Sequence, residues 1–369
     1  MDVQRLKSID IFRGLCMAWM VLTHIIDWWL RPEFSWLHSI GIMIVDSIGA
    51  SGFLFVSGVS IALSYRKRLN RARNSENYNY RMARNSYLLR AFFILIVALI
   101  YNIPTAIAFK DLRMIWIWFV LLTAAISLFL AWPLLKTLKW IRITIAILVI
   151  ALNLFLVPTL VPFQGQSNFF GLLFHVFYNG LNQDPILIFF PFFLIGTVIG
   201  DIIYEKINEP TSQKLKVTLF YLLIIGFLLI LSGVLLFFPE FLKRESLSWI
   251  IYSFGIEIVL LSILLQIERM GIMTTKRSYK FFFYYSYYSL TIYLSHNLLY
   301  FLFYHLLNPV SIWFFAMGAF FLIGILFRTI FKKWNRNASI KSQIGRLSQR
   351  ISMKIEEILN RNNIERISK

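Results

Sequence analysis

Apolar residues in this chain fall into long runs broken by short polar stretches, and the length of the runs is the dominant signal. Ten runs approach or exceed the ~20 residues a helix needs to cross a bilayer: 9–30, 40–65, 91–109, 114–132, 141–161, 185–204, 217–238, 249–267, 285–306 and 309–331. The pattern predicts an all-α polytopic membrane protein of about ten transmembrane helices. The first run is too long for a signal-peptide core, carries Asp10, Arg13, His24 and Asp27, and lacks a small-residue cleavage site. It is expected to stay in the mature protein.

Beyond residue 333 the period changes. Ile340, Ile344, Leu347, Ile351, Ile355 and Ile358 recur at steps of three and four with basic residues opposite, which predicts a basic amphipathic helix lying on the membrane surface. The chain therefore divides into a membrane domain, 1–333, and a tail, 334–369.

Composition agrees with this reading: 58% of the 369 residues are apolar, where a soluble domain would have roughly half. A net charge of +19 raises nucleic acid as a partner, but its distribution points elsewhere. With the N-terminus inside, the inner segments hold 31 Lys and Arg and the outer loops five. That asymmetry predicts a multi-pass cell-membrane protein with both termini cytoplasmic and no nucleic-acid partner. One cysteine, Cys16, and five histidines exclude a disulfide framework and a Cys-rich zinc or iron–sulfur site, and no metal is expected. Monomer and homodimer are both left open.

Two connections are long. Residues 66–90 carry eight Lys and Arg on the expected cytoplasmic side. They suit anionic lipid headgroups or a phosphorylated cosubstrate. Residues 162–184, PFQGQSNFFGLLFHVFYNGLNQD, contain no Lys or Arg and are expected to form an aromatic, partly embedded cap outside.

Ionisable residues within a span cost roughly 2.5–3.5 kcal/mol near the bilayer centre, so four in the first run demand a reason. On an ideal helix, Asp10, Arg13, His24 and Asp27 all fall on one face. Asp10 and Arg13 can pair at the inner end. His24 and Asp27 form a similar pair about 16 Å further along, with the parts of a general base and the carboxylate that orients it. Other polar intruders are Asp46, Ser47, Glu257, Ser295, His296 and Asn297. His296 is the second catalytic candidate; His38, His175 and His305 sit in outer loops, where each reads first as an ordinary surface or packing residue.

Four blocks carry a resemblance: RLKSIDIFRGLCMAWMVLTHIID (5–27), SGFLFVSGVSIALSYRKR (51–68), PFFLIGTVIGD (191–201) and SLTIYLSHN (289–297). In order and place they resemble the catalytic membrane domain of heparan-α-glucosaminide N-acetyltransferase and its prokaryotic relatives, within the transmembrane acyltransferase superfamily. The most specific element is Arg13–Gly14 followed by a histidine 11 residues after the arginine. The resemblance implies that cytoplasmic acyl-CoA, usually acetyl-CoA, donates its acyl group to a sugar amine or hydroxyl presented on the other side. It implies that Arg13 is the family's opening arginine and His24 the histidine of the bacterial branch. The lysosomal enzyme has asparagine at the position of His24 and a reactive histidine in the following loop, where His38 is the nearest counterpart. Neither the luminal domain of that enzyme nor the hydrolase-like domain of some bacterial members has a matching stretch. An acceptor is then expected to reach the membrane core directly.

The residues themselves allow the same chemistry. Arg66, Lys67 and Arg68 directly follow the second run and offer sites for the donor's 3′-phosphate and pyrophosphate, while Asp10 and Arg13 lie on the thioester's way to His24. His24 would either take the acceptor's proton or itself become acylated. The competing class is a proton-coupled transporter of a small solute, with Asp10, Arg13, His24, Asp27 and Glu257 as the relay.

Overall fold

The computed structural model describes residues 6–75, 78–179, 183–207, 212–271 and 278–367. Glu76 of the basic connection and residues 180–182 of the aromatic cap lie outside them. The helices in chain order are α1 (Lys7–Trp29), α2 (Ser35–Val45), α3 (Ala50–Asn74), α4 (Tyr80–Phe109), α5 (Val120–Leu134), α6 (Lys139–Leu160) and α7 (Phe169–Phe177). They continue with α8 (Ile186–Ile207), α9 (Ser212–Leu236), α10 (Leu247–Arg269), α11 (Ser278–Tyr287), α12 (Ser289–Ser295), α13 (Ser311–Trp334) and α14 (Ile340–Ile367). Among the described residues the sole extended pairing is one bridge between Leu30 and Leu307.

Among the described residues eight helices are long and apolar enough to cross a membrane, as against the ten runs in the sequence. The run at 114–132 opens with a 3₁₀ turn, Leu112–Trp116, and yields only the 15-residue α5. Its first part is held off the helix by Asn102, whose amide donates to the Ile115 and Ile117 carbonyls at 2.9 and 3.0 Å. The run at 285–306 is split between α11, α12 and a 3₁₀ stretch, His296–Phe301. Non-helical backbone at that depth needs partners inside the protein, and the end of α1 supplies them. Trp29 Nε1 donates to the Leu299 carbonyl at 2.7 Å. The His305 and Leu307 N–H groups donate to the Trp28 and Trp29 carbonyls at 2.9 and 2.8 Å.

The chain forms two compact units, one of residues 3–60 and 191–341, the other of 61–190 and 342–369. In the first, α8 brings a Phe-rich buried face against α10, with Phe192 stacked on Phe254 at 4.3 Å and edge-on to Trp249 at 5.9 Å. The aromatic run of α11 packs on α13; Tyr285 and Tyr288 donate to the Phe320 and Asn335 carbonyls at 2.6 and 2.7 Å. The opposite surfaces of α9 and α13 expose residues such as Phe227, Leu235, Phe314 and Leu322, the lipid-facing side of peripheral spans. Helix α1 has no side-chain cap of its own, and Glu268 of α10 substitutes, accepting from the Lys7 and Ser8 N–H groups at 2.8 Å each.

In the second unit, Trp132 of α5 is surrounded by Tyr65, Tyr80 and Tyr87, with ring centroids 5.6, 6.1 and 4.7 Å away. Tyr87 also donates to the Leu128 carbonyl at 2.8 Å. The aromatic cap contains α7, opened by Asn168 accepting from the Gly171 N–H at 2.8 Å, with Phe174 buried and Phe169 and Leu172 exposed. The tail folds as α14, and its protein-facing side is more polar than the isoleucine stripe suggests. Ser352 donates to the Met82 carbonyl at 2.9 Å, and Glu356 accepts from Asn79, the N-cap of α4, at 2.5 Å. Ile344 is buried, whereas Leu347 and Ile358 stay exposed.

Within the first unit α3 and α8 meet backbone to backbone. A β-carbon on Gly58 would run into the Phe193 carbonyl oxygen and stand 3.1 Å from the Thr197 nitrogen, and one on Gly196 would run into the Phe55 carbonyl. Small residues permit this approach where lipid gives no hydrophobic drive between helices. Gly58→Ala and Gly196→Ala are each expected to lower stability by about 1–3 kcal/mol, the usual cost of overpacking. Thermal unfolding in detergent checks this: unchanged midpoints for both variants would show that the helices separate at no cost.

Candidate active site

The site is built around the C-terminal half of α1 in the first unit. His24 and Trp28, four residues apart, share one face of the helix and stack, with ring centroids 5.1 Å apart and planes at 20°. His296 closes the group: its ring lies 5.1 Å from His24 and 5.5 Å from Trp28, the latter again stacked at 21°. Tyr300 adds an edge-on contact to Trp28 at 5.8 Å. His296 follows α12 directly, where the chain leaves α-helical geometry, and its Nδ1 lies 2.5 Å from the Tyr293 carbonyl oxygen. A carbonyl can only accept, so Nδ1 carries the proton and Nε2 is left as the ring's acceptor.

The carboxylate expected beside His24 is placed differently. Asp27 is 3.4 Å from Nδ1 of His38, joining the end of α1 to the start of α2. The reason is geometric: the 3₁₀ turn Pro32–Phe34 folds α2 back. An ion pair between Arg244 and Asp46 at 3.2 Å is a further charged element of this unit. Arg244 and His38 are both within electrostatic reach of His24. Burial holds the His38 ring below the usual histidine pKa, and the Asp27 carboxylate opposes that shift. His38 is thus a neutral imidazole at neutral pH, with a carboxylate available to stabilise the imidazolium once it takes a proton.

The other predicted residues separate from this cluster. At the N-terminal half of α1, Asp10 accepts from Ser286 at 3.2 Å and Arg13 donates to Ser60 at 2.5 Å. Helical rise puts Arg13 about 16 Å along the axis from His24. Helix α3, which carries Ser60, continues through Arg66, Lys67 and Arg68 to Asn74. In the second unit Arg68 donates to Ser86 at 3.3 Å, and the Arg66 guanidinium carbon lies 5.9 Å from the Tyr65 ring centroid. All three basic residues are half-buried. His305 has a structural task, its Nδ1 sitting 3.0 Å from the Leu30 carbonyl. His175 belongs to the second unit, beside Asp111 and Arg113, where burial and the arginine lower its pKa.

Sequence reasoning passed over Trp28, Tyr300 and Arg244. The spacing of Trp28 from His24 was the one available signal; Arg244 and Asp46 are 198 positions apart and carry none. No group of three or more metal-ligating side chains occurs among the described residues.

Comparison with known proteins gives one family. Residues 5–230 match the family model described as heparan-alpha-glucosaminide N-acetyltransferase, catalytic. No curated protein matches the chain. The match takes in Asp10, Arg13, His24, Asp27, His38 and Arg66 to Arg68, and stops before Arg244, Glu257 and His296. A match over more than half of a chain with eight potential membrane-spanning helices makes this protein a member of the heparan-α-glucosaminide N-acetyltransferase catalytic family, whose general activity is acetyl transfer.

Proposed function

We propose that the protein is an integral membrane acyltransferase that moves an acyl group, by family an acetyl group, from cytoplasmic acyl-CoA to an amine or hydroxyl of a sugar, glycan or lipid-linked glycan. The observation that carries this reading is the convergence of His24, His296 and the His38–Asp27 pair at one end of α1, whose other end bears Arg13. The acceptor nitrogen or oxygen attacks the thioester carbonyl, the C–S bond breaks, and coenzyme A leaves as a thiolate. The acceptor's proton passes to an imidazole and from there to the thiolate. In the variant with an acyl-histidine intermediate the imidazole attacks first and the acceptor second. Trp28 and Tyr300 offer faces on which a sugar ring can lie. Incubating purified protein with labelled acetyl-CoA and an amino sugar tests the reading; labelled sugar or labelled protein supports it. Absence of both, with solute flux in vesicles, would favour the proton-coupled carrier, for which the buried Glu257 speaks.

The base can be identified by substitution and pH. His24→Ala is expected to lower turnover at least ~10²-fold, the usual loss of a general base, while sparing coenzyme A binding. If turnover survives and His38→Ala is inactive, the loop histidine is the base. In that case activity needs the neutral ring, so it holds at neutral pH and falls as pH drops through a pKa below 6.5. Asp27→Asn removes the charge that raises this pKa, so the acid limb should move to lower pH. A limb that stays put belongs to another group.

The expected orientation follows from the 31-to-5 charge distribution. Cysteines placed at Ser75 and Ser167 in a Cys16→Ser background are expected to react with impermeant thiol reagents from opposite sides of the membrane. Labelling of both from outside intact cells would remove the cytoplasmic donor site from the proposal.

Arg66, Lys67 and Arg68 are the proposed donor-phosphate residues. Replacing all three by Gln is expected to raise KM for acetyl-CoA at least ~10-fold, as charged hydrogen bonds are lost, and to weaken the dependence of that KM on salt. KM for the acceptor should not change. A pantetheine thioester without the nucleotide should be indifferent to the change; equal losses with both donors would assign the cluster to lipid anchoring.

A further inference from the structure

His24, His296 and Trp28 stand in a triangle: the two imidazole centroids are 5.1 Å apart, and the indole centroid is 5.1 Å from His24 and 5.5 Å from His296. Rings stacked on opposite faces of an indole would be about twice a stacking distance apart, so the two imidazoles lie side by side against it. Their planes are tilted only 20° and 21° from the indole plane. Each is thus stacked on the aromatic ring that attracts cations best, inside the ~6 Å at which that attraction is felt. Trp28 is held in place from two directions: it lies one turn after His24 on the same face of α1, and Tyr300 packs edge-on against it at 5.8 Å. His296, His38 and Arg244, which lie within electrostatic reach of His24, are each a cation or a potential one. The Asp27 carboxylate stands by His38. A neutral ring whose face attracts cations supplies what these neighbours do not.

We infer that Trp28 is a positioning residue for acyl transfer, holding the His24–His296 pair against its indole face so that the positive imidazole formed during the reaction is stabilised there. The inference rests on the acyl-transfer reading above. A positive imidazole arises on both routes of that reading. As a base, the ring takes the acceptor's proton while the acceptor nitrogen or oxygen bonds to the thioester carbonyl carbon and the C–S bond breaks; the proton then passes to the departing thiolate. As a nucleophile, the ring nitrogen bonds to that carbon and the thiolate leaves. The acylated ring, still holding its own N–H proton, is cationic until the acceptor takes the acyl group. The charge belongs to the transition state and not to the bound substrates, so stabilising it speeds turnover and leaves substrate binding as it was.

The test introduces fluorinated tryptophans in place of Trp28, by nonsense suppression, in detergent-purified full-length protein. Successive fluorines withdraw electrons from the π face and hardly change the size of the ring, so they weaken its attraction for a cation and leave packing intact. With acetyl-CoA and an amino sugar as substrates, kcat is expected to fall with each added fluorine, to ~10-fold below wild type for the most fluorinated ring, while KM for both substrates stays within ~2-fold. Trp28→Phe, which keeps a weaker π face, should retain more of kcat than Trp28→Leu, which keeps apolar bulk and loses the face. A kcat that is flat across the fluorinated series overturns the inference and points to the His38–Asp27 pair as the base. A loss confined to KM for the acceptor also overturns it, and makes Trp28 a platform for the sugar ring. Wild-type protein that neither releases coenzyme A nor takes up an acetyl group removes the acyl-transfer reading itself, a result that needs no variant and is therefore separable from the others.

Discussion

A polar group taken into the apolar interior of a membrane protein has to find its partner within the protein, and here that requirement converges on α1. Glu268 accepts from its first N–H groups, Asp10 accepts from Ser286, and Arg13 donates to Ser60. Its last carbonyls take the His305 and Leu307 N–H groups, and Trp29 reaches the Leu299 carbonyl. An unmade hydrogen bond at any of these points costs about 1–3 kcal/mol. The partners come from α3, α10, α11 and the broken stretch after α12, so α1 fixes the register of the unit that holds the site. The break after α12 is tolerated for this reason, and the break is what turns His296 toward His24 and Trp28.

The same constraint shapes the chemistry. Imidazole suits a site at the edge of an apolar region because its neutral form is cheap to bury and still accepts a proton. A carboxylate in the same position would be costly as the charged species that does the work. Asp27, the carboxylate that does appear, is at the exposed end of α1, 3.4 Å from the ring of His38, where under the proposed reading it would stabilise charge only after proton transfer. The carboxylate that sequence spacing paired with His24 thus lies beside a ring on α2.

What could be read from the residues was what depends on local pattern. The polar face of α1 was legible because its period is that of a single helix, and the lipid-facing helices because run length alone specifies them. That the run at 285–306 breaks into α11, α12 and a 3₁₀ stretch was not legible, because hydropathy reports which residues tolerate lipid and does not report where the backbone stays helical. Its hydrogen bonds to the end of α1 span 270 positions or more. The Arg244–Asp46 pair and the approach of His296 to His24 are long-range in the same sense. On α14 the isoleucine stripe gave the helix but not its docked face, because Ser352 and Glu356 bind through hydrogen bonds that an apolar period cannot register.

The order of groups along α1 has a consequence of its own. Arg13 stands near one end, Cys16 with the buried Glu257 in the middle, and His24 toward the other end. A ligand that is anionic at one end and reactive at the other would meet a cation at the first level and an imidazole at the last. An acyl-CoA has that sequence of groups, and its long arm separates the phosphates from the thioester. A small solute moving through a relay would meet the same residues one at a time and would gain nothing from their simultaneous spacing. Under the proposed acyl-CoA reading, the separation of Arg13 from His24 along one helix favours transfer over transport, whichever histidine takes the proton.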